Sequence, residues 1–137
     1  MGLARAYVTG DIDVDGDLAD GLRRAGGPFV EAYIAPDMHM RPVGETVAFL
    51  ERAGLEVRDV HAMREHYVRT VAAWYDTFER RWPEVVALVG EETARVWRLY
   101  LVGGGLAFEE GRMGVDQILA VRPRVGGASG MPALRVF

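Results

Sequence analysis

Apolar side chains recur every three or four residues in the middle of the chain, between Met63 and Trp82. This spacing matches the 3.6-residue turn of an α-helix and predicts a helix with one wide apolar face. The face comprises Tyr67, Val71, Trp74, Tyr75, Phe78 and Trp82. If Trp74 is a core residue, truncating it to alanine should cost about 3–5 kcal/mol. Pro83 predicts the start of a new helical turn, because proline is tolerated in the first turn of a helix.

The flanking segments add two more helices and two strands. A helix is predicted over 43–53, where Gly54 follows as a helix terminator, and another over 91–109. Short runs at about 55–60 and 114–121 have the length and composition of strands. We therefore predict an α+β fold in which these two strands pair antiparallel, with the helical segment 63–108 between them.

The N-terminal residues alternate acidic and apolar side chains in the run Asp11-Ile-Asp-Val-Asp-Gly-Asp17. The alternation predicts a strand with Ile12 and Val14 pointing inward, then a turn at Asp15-Gly16, so that this segment adds an edge strand. The same run resembles the start of a calcium-binding loop, but the twelfth position is Leu22 instead of glutamate, and no helix of useful length is expected before Asp11. Leu18–Arg24 is predicted as a short helix, and Gly26-Gly27-Pro28 ends it.

Composition narrows the class of protein. The 137 residues are half apolar, which suits a single domain, and the net charge of −4 argues against a nucleic-acid partner. The chain has no cysteine, which excludes disulfides and thiolate metal sites. It shows no secretory signal and no apolar run approaching the roughly 18 residues of a membrane span, so we expect a cytoplasmic protein.

The densest group of titratable side chains consists of His61, Glu65, His66 and Tyr67. These are the candidate catalytic residues, with Asp76 as a further acid–base candidate. We predict no metal here, because the pattern lacks the paired i, i+4 histidines of a helical zinc site. The candidate pocket for an apolar substrate comprises Trp74, Tyr75, Trp97, Tyr100 and Gly104. The glycines at 103–105 are expected inside a helix, where a neighbouring helix or an acyl chain approaches closely, and not in a cofactor loop.

Several motifs occur in a specific order: Gly54-Leu-Glu-Val-Arg-Asp-Val60, Arg64-Glu-His-Tyr-Val-Arg-Thr70, Arg95-Val-Trp-Arg-Leu-Tyr-Leu101 and Gln117-Ile-Leu119. They resemble the C-terminal part of the cyclopropane-fatty-acyl-phospholipid synthase family. Tyr33–Met40 resembles a further motif of that part at four positions, with Ala35 and Met38 departing from the family pattern. Gly2–Leu18 is similar to the family's N-terminal region. The resemblance therefore divides the chain into 1–24 from the front of the family, a seam at 25–28, 29–122 from its back and a tail at 123–137.

The resemblance implies methylation of lipid acyl chains with S-adenosylmethionine (SAM), and a tyrosine, here Tyr67, that helps to hold a catalytic bicarbonate. The family's other bicarbonate ligands and its SAM-binding core belong to segments that we do not find in this sequence, so we expect no cofactor in this chain alone. Three functions stay open. The chain is a truncated or split methyltransferase that needs a partner chain, a repurposed cofactor-independent enzyme on an apolar substrate, or a non-catalytic lipid- or protein-binding module, plausibly a homodimer.

Overall fold

A computed structural model describes residues 3–11, 13, 18 and 41–132 of the chain. Within these residues it has five helices and a two-stranded antiparallel sheet, so the predicted α+β class is confirmed. In chain order the elements are α1 (Leu3–Thr9), α2 (Val43–Arg52), β1 (Glu56–Ala62), α3 (Arg64–Arg80), α4 (Trp82–Val89), α5 (Glu91–Glu109) and β2 (Asp116–Val121). The four predicted helices and strands flanking α3 and α4 agree with the structure to within two residues at each end. None of the helices in the described part is long and apolar enough to cross a membrane.

The described residues fall into two compact units. The first is helical and combines Arg64–Val115 with the described N-terminal residues. Here α3 packs along α5, and α1 and α4 pack on α5 as well. Its core joins Tyr7, Val8 and Leu18 to residues of α5, chiefly Val96 and Leu99. Apolar side chains spaced three residues apart along α5 therefore hold the N-terminal residues.

The end of α5 is fixed by a contact from the start of α3. The Arg64 guanidinium donates a hydrogen bond of 2.7 Å to the Phe108 carbonyl oxygen and one of 3.3 Å to that of Glu109. The last carbonyl groups of a helix lack partners within it and carry its negative dipole end, so a cation there is stabilising. This contact sets the register in which the two long helices pack.

The second unit contains the described residues of Met40–Met63 and Asp116–Phe137. Strands β1 and β2 pair antiparallel from Glu56 opposite Val121 to Ala62 opposite Asp116, with a register shift between Val57 and Asp59. Helix α2 packs against this two-stranded sheet. It ends as its sequence predicts, because Gly54 takes a φ of 79°, which side-chain-bearing residues rarely adopt.

The N-terminus differs from the sequence prediction. Residues 3–9 form a helix just before Asp11, where no helix of useful length was expected. A helix this short is unstable in isolation, so its formation depends on docking Tyr7 and Val8 against α5, which local periodicity does not reveal. Ile12, Val14 and Asp15-Gly16 lie outside the described residues.

Other N-terminal predictions also fall where the structure is not described. Leu18 is helical and buried, but the rest of the predicted helix to Arg24 lies outside the described residues. So do the seam at 25–28 and the motif Tyr33–Met40. These predictions stay as predictions.

Candidate functional site

Tyr67 lies in the second turn of α3, and the helical period places it on the same face as Trp74. The two rings meet edge to face with centroids 6.3 Å apart, and the Tyr67 ring lies 5.4 Å from that of Phe108 on α5. Tyr67 is half-buried. The structure thus joins one predicted catalytic residue and one predicted pocket residue in a single aromatic cluster.

Beyond Trp74, the same face of α3 borders an open groove of about 500 Å³ among α3, α4 and α5. Its lining is mostly apolar and comprises Trp74, Thr77, Phe78, Arg81, Glu84, Val85, Leu88 and Leu101. A volume of this order is in the range of small-molecule sites, which run from about 300 to 1,000 Å³. Trp74 is 53% exposed, so the premise that it is a core residue is wrong. Its helix and its apolar face are as predicted.

The other predicted pocket residues occupy two different places. Trp97 and Tyr100 pair with each other on α5, with ring centroids 5.5 Å apart and planes at 88°. Gly104 lies inside α5, as expected, and a Cβ added there would meet nothing within 4 Å among the residues that the structure describes. The groove described above therefore includes Trp74 from the predicted set, whereas Trp97 and Tyr100 form a separate aromatic pair.

Tyr75 belongs to a polar network that the sequence analysis did not find. The Arg98 guanidinium donates to both carboxylate oxygens of Glu79, at 2.6 and 2.8 Å, and to the Tyr7 hydroxyl at 3.1 Å. It also lies 5.3 Å from the centre of the Trp82 ring. Helical spacing places Glu79 one turn after Tyr75, but nothing in the sequence selects Arg98 as its partner.

The network changes the titration of its members. Burial raises the pKa of the Tyr75 phenol, and the nearby Glu79 carboxylate adds to the increase. Burial alone would lower the pKa of Arg98, but its hydrogen bonds to Glu79 and Tyr7 raise it above the usual value. The guanidinium therefore stays charged, and the arrangement ties α1, α3 and α5 together.

The remaining candidate catalytic residues are exposed. Glu65 forms an ion pair with Arg64 in the first turn of α3, and His66 follows it. His61 lies on β1, opposite Gln117, and so belongs to the second unit, whereas Tyr67 belongs to the first. Among the residues that the structure describes, no three histidine or carboxylate side chains lie close enough together to hold a metal ion.

Two residues of the acidic N-terminal run, Asp11 and Asp13, lie among the described residues. The Thr9 hydroxyl donates a 2.6 Å hydrogen bond to the Asp11 carboxylate, and Arg95 lies 3.4 Å from a carboxylate oxygen of Asp13. Both carboxylates thus have partners in the protein. Arg95 also lies over the Tyr7 ring, at 5.0 Å from its centre, so these contacts help to hold α1 on α5.

Comparison with known proteins decides the ancestry. Residues 11–118 match the family described as mycolic acid cyclopropane synthetase. The chain belongs to this family. It is 39% identical over 112 residues to a probable fatty acid methyltransferase of Pseudomonas putida and 32% identical over 106 residues to one of Mycobacterium tuberculosis. These alignments cover 82% and 77% of the chain.

The match is to part of each relative. The chain spans 28% of the length of the Pseudomonas putida protein and 25% of the Mycobacterium tuberculosis protein. Among solved structures, a cyclopropane synthase of Mycobacterium tuberculosis superimposes with a TM-score of 0.63 at 20% identity, over 87% of this chain and 40% of that one. The shared fold therefore corresponds to a portion of a larger enzyme.

Proposed function

We propose that the chain is a truncated or split cyclopropane-synthase-type protein that handles lipid acyl chains but does not transfer methyl groups alone. The observation that carries this proposal is the family match over residues 11–118 in a chain that spans about a quarter of its relatives' length. The cofactor core would come from a partner chain. Two of the relatives are described as probable fatty acid methyltransferases, and these names suggest the acyl chain of a lipid as substrate.

The residues at hand do not fit a complete SAM site. The glycines at 103–105 lie inside helix α5, whereas a nucleotide-binding loop needs glycines between a strand and the start of a helix. A bicarbonate site is incomplete for a similar reason. The ring contacts of Tyr67 are with Trp74 and Phe108, and of these two side chains only the Trp74 indole N–H can donate a hydrogen bond to an anion. We therefore propose that Tyr67 contributes one hydroxyl to a site that a partner completes.

A non-catalytic lipid-binding module is the second candidate, and the apolar groove favours it. Trp74, Phe78 and Leu101 offer an apolar lining, while the candidate acid–base groups His66 and Asp76 are exposed. A homodimer would give such a module a larger apolar surface. The cofactor-independent enzyme has less support, because the groove lining includes no histidine.

Calorimetry with SAM and with S-adenosylhomocysteine tests whether the chain alone binds the cofactor. We expect no heat of binding from the chain alone, and no methyl transfer from labelled SAM to unsaturated phospholipid vesicles. The Pseudomonas putida relative serves as the positive control for both measurements. Binding in the micromolar range would mean that the chain carries its own SAM site and would refute this part of the proposal.

Complementation separates the split enzyme from the binding module. The chain would be mixed with the Pseudomonas putida relative from which the matching segment has been deleted. Restored methyl transfer supports the split enzyme, and Tyr67→Phe should then lower the rate by roughly tenfold or more. Val125→Ala, at a fully exposed position of the second unit, is the control and should leave the rate nearly unchanged. Failure to restore activity, with retained acyl-chain binding, would favour the module.

A further inference from the structure

Strand β2 has a free edge in the part of the chain that the structure describes. It pairs with β1 on one side, and the two strands form a sheet by themselves. The backbone N–H and C=O groups of alternate residues point to opposite sides of a strand, so half of those in β2 point away from β1. Such a row of unpaired groups is a template for a further strand. An isolated pair of strands is also only marginally stable, which favours extension of the sheet.

The sequence of β2 is better suited to further pairing than that of β1. In the run Asp116-Gln-Ile-Leu-Ala-Val-Arg122 every side chain between the two ends is uncharged, and Leu119 at the centre is 44% exposed. In β1, by contrast, the register shift leaves Arg58 as an extra residue, and Arg58 forms an ion pair with Glu56. Bulges and charged side chains are features that prevent an edge strand from pairing. The regular, uncharged centre of β2 lacks both.

The charges at the two ends of this run make it complementary to itself. In an antiparallel pairing of two copies centred on Leu119, Asp116 lies opposite the partner's Arg122, and symmetry repeats this pair at the other end. Residues directly opposite each other in an antiparallel pair share a face, and opposite charges there stabilise the pairing. Among the described residues, neither Asp116 nor Arg122 has an ion-pair partner within its own chain. Pro123 favours an extended Arg122, since the residue before a proline avoids the helical region.

We propose that a second copy of this chain pairs with the free edge of β2, so that two protomers form a continuous four-stranded antiparallel sheet about a two-fold axis at Leu119. The pairing would bring the two exposed Leu119 side chains together and satisfy the backbone groups along the edge. A register shift of one residue removes both Asp116–Arg122 contacts, so the charges select this alignment. The inference goes beyond the proposed function and does not depend on it, because β2 belongs to the second unit, whereas Tyr67 and the groove belong to the first.

The absence of cysteine from the chain allows a direct test of the register. In the proposed dimer the two Cα atoms at position 119 lie about 4.5–5.5 Å apart, within the range of about 4.4–6.8 Å that a disulfide spans. Leu119→Cys should therefore form a covalent dimer under mild oxidation, visible on a non-reducing gel. Gln117→Cys is the matched control, because its two copies would lie roughly 14 Å apart at about 3.4 Å per residue. Absent cross-linking of Leu119→Cys, or equal cross-linking of both variants, would overturn the proposal.

Charge reversal tests the pairing of the full chain in solution. Sedimentation equilibrium should show a dimer, and Asp116→Arg should weaken it by about tenfold or more, because two arginines then face each other at both ends of the paired strands. Adding Arg122→Asp to this variant restores opposite charges at both ends. The double variant should therefore dimerise within about threefold of the unchanged protein. Circular dichroism should show that the single and double variants stay folded.

Other occupants of the edge give different results. A monomer at every concentration would overturn the proposal and leave the edge to a strand of a partner chain. So would a dimer that Asp116→Arg does not weaken, or a double variant that dimerises as weakly as Asp116→Arg alone. A dimer that Leu88→Asp dissociates would also overturn it and assign the contact to the groove, since Leu88 lines the groove and is 83% exposed.

Discussion

At the scale of single residues, the Arg98–Glu79 ion pair joins α3 to α5 at the edge of the helical core. Both side chains are about 30% exposed, and the two parallel hydrogen bonds use the full fork of the guanidinium. Exposed ion pairs contribute little, but a partly buried one leaves an uncompensated charge when one partner is removed. The Tyr75 phenol lies next to this pair, and its raised pKa reflects burial and the nearby Glu79 carboxylate.

Tyr75 gives a pH prediction with a defined sign. Because burial raises its pKa in the folded state, the folded protein binds the phenolic proton more tightly than the unfolded chain does. Its contribution to stability is therefore complete below the unfolded-state pKa of about 10 and is lost as the pH rises through the higher folded-state value. We expect the free energy of unfolding to fall as the pH rises from about 10 through the higher folded-state pKa, and less steeply in Tyr75→Phe.

Urea denaturation at several pH values measures this difference. Val125→Ala provides the control, because Val125 is fully exposed and carries no titratable group. Its stability should follow the pH in parallel with that of the unchanged protein. Identical slopes for Tyr75→Phe and the unchanged protein would contradict the assignment of a raised pKa to Tyr75.

At the scale of secondary-structure elements, no close contact within the described part of the chain requires the three glycines of α5. Among the described residues, a Cβ added at Gly103 would meet nothing within 4 Å, and one at Gly105 would make an ordinary contact of 3.6 Å with Val71. Gly103→Ala should therefore stabilise the chain by about 0.5–1 kcal/mol, because glycine is a poor helix former. Gly90→Ala, in contrast, should destabilise it, since Gly90 has a φ of 82° at the start of the same helix.

Gly103→Ala also tests why α5 contains three consecutive glycines. If a partner chain or an acyl chain passes close to α5, Gly103→Ala should lower complemented methyl transfer while raising stability. Thermal unfolding and the complementation assay, measured on one preparation, separate the two effects. A loss of stability in Gly103→Ala would show that a close contact within this chain already requires glycine.

The exposure of Trp74 also limits how much the aromatic face of α3 contributes to the stability of the fold. Trp74→Ala should destabilise by about 1–2 kcal/mol instead of the 3–5 expected for a core residue, because half of its surface already faces water. Leu99 is only 2% exposed, so Leu99→Ala should cost about 2–5 kcal/mol although its side chain is smaller. Chemical denaturation ranks the two. A larger loss for Trp74→Ala would mean that Trp74 is buried in solution.

How far the sequence predicts the molecule depends on the element. Helix α5 is predicted to its last residue, because a 3.6-residue apolar period over 19 residues is a strong signal. Helix α1 is missed, because seven residues are too few to show a period and the helix depends on contacts with residues nearly 90 positions later. The candidate site was less predictable still. Periodicity puts Tyr67 and Trp74 on one face, but it does not reveal that Tyr75 meets Arg98 or that Trp97 pairs with Tyr100.

At the scale of the whole molecule, the two sequence pieces on either side of the predicted seam share one core. Val8, from the first piece, is 1% exposed and packs with Val96 and Leu99, from the second. Arg95 strengthens the junction by donating a hydrogen bond of 3.3 Å to the Tyr7 carbonyl oxygen. The N-terminal residues therefore cover an apolar face of α5 that would otherwise meet water.

Val8→Asp tests whether this shared core holds the first unit together. A carboxylate at a fully buried apolar position has no partner there, so we expect the free energy of unfolding to fall by more than about 3 kcal/mol. Tryptophan fluorescence during urea denaturation is a suitable probe, since Trp74, Trp82 and Trp97 all belong to the first unit. Val125→Asp adds the same charge at an exposed position and should change the stability by less than about 0.5 kcal/mol. If Val8→Asp is equally mild, α1 does not dock on α5 in solution, and the face formed by Val96 and Leu99 is a second apolar surface open to a partner chain.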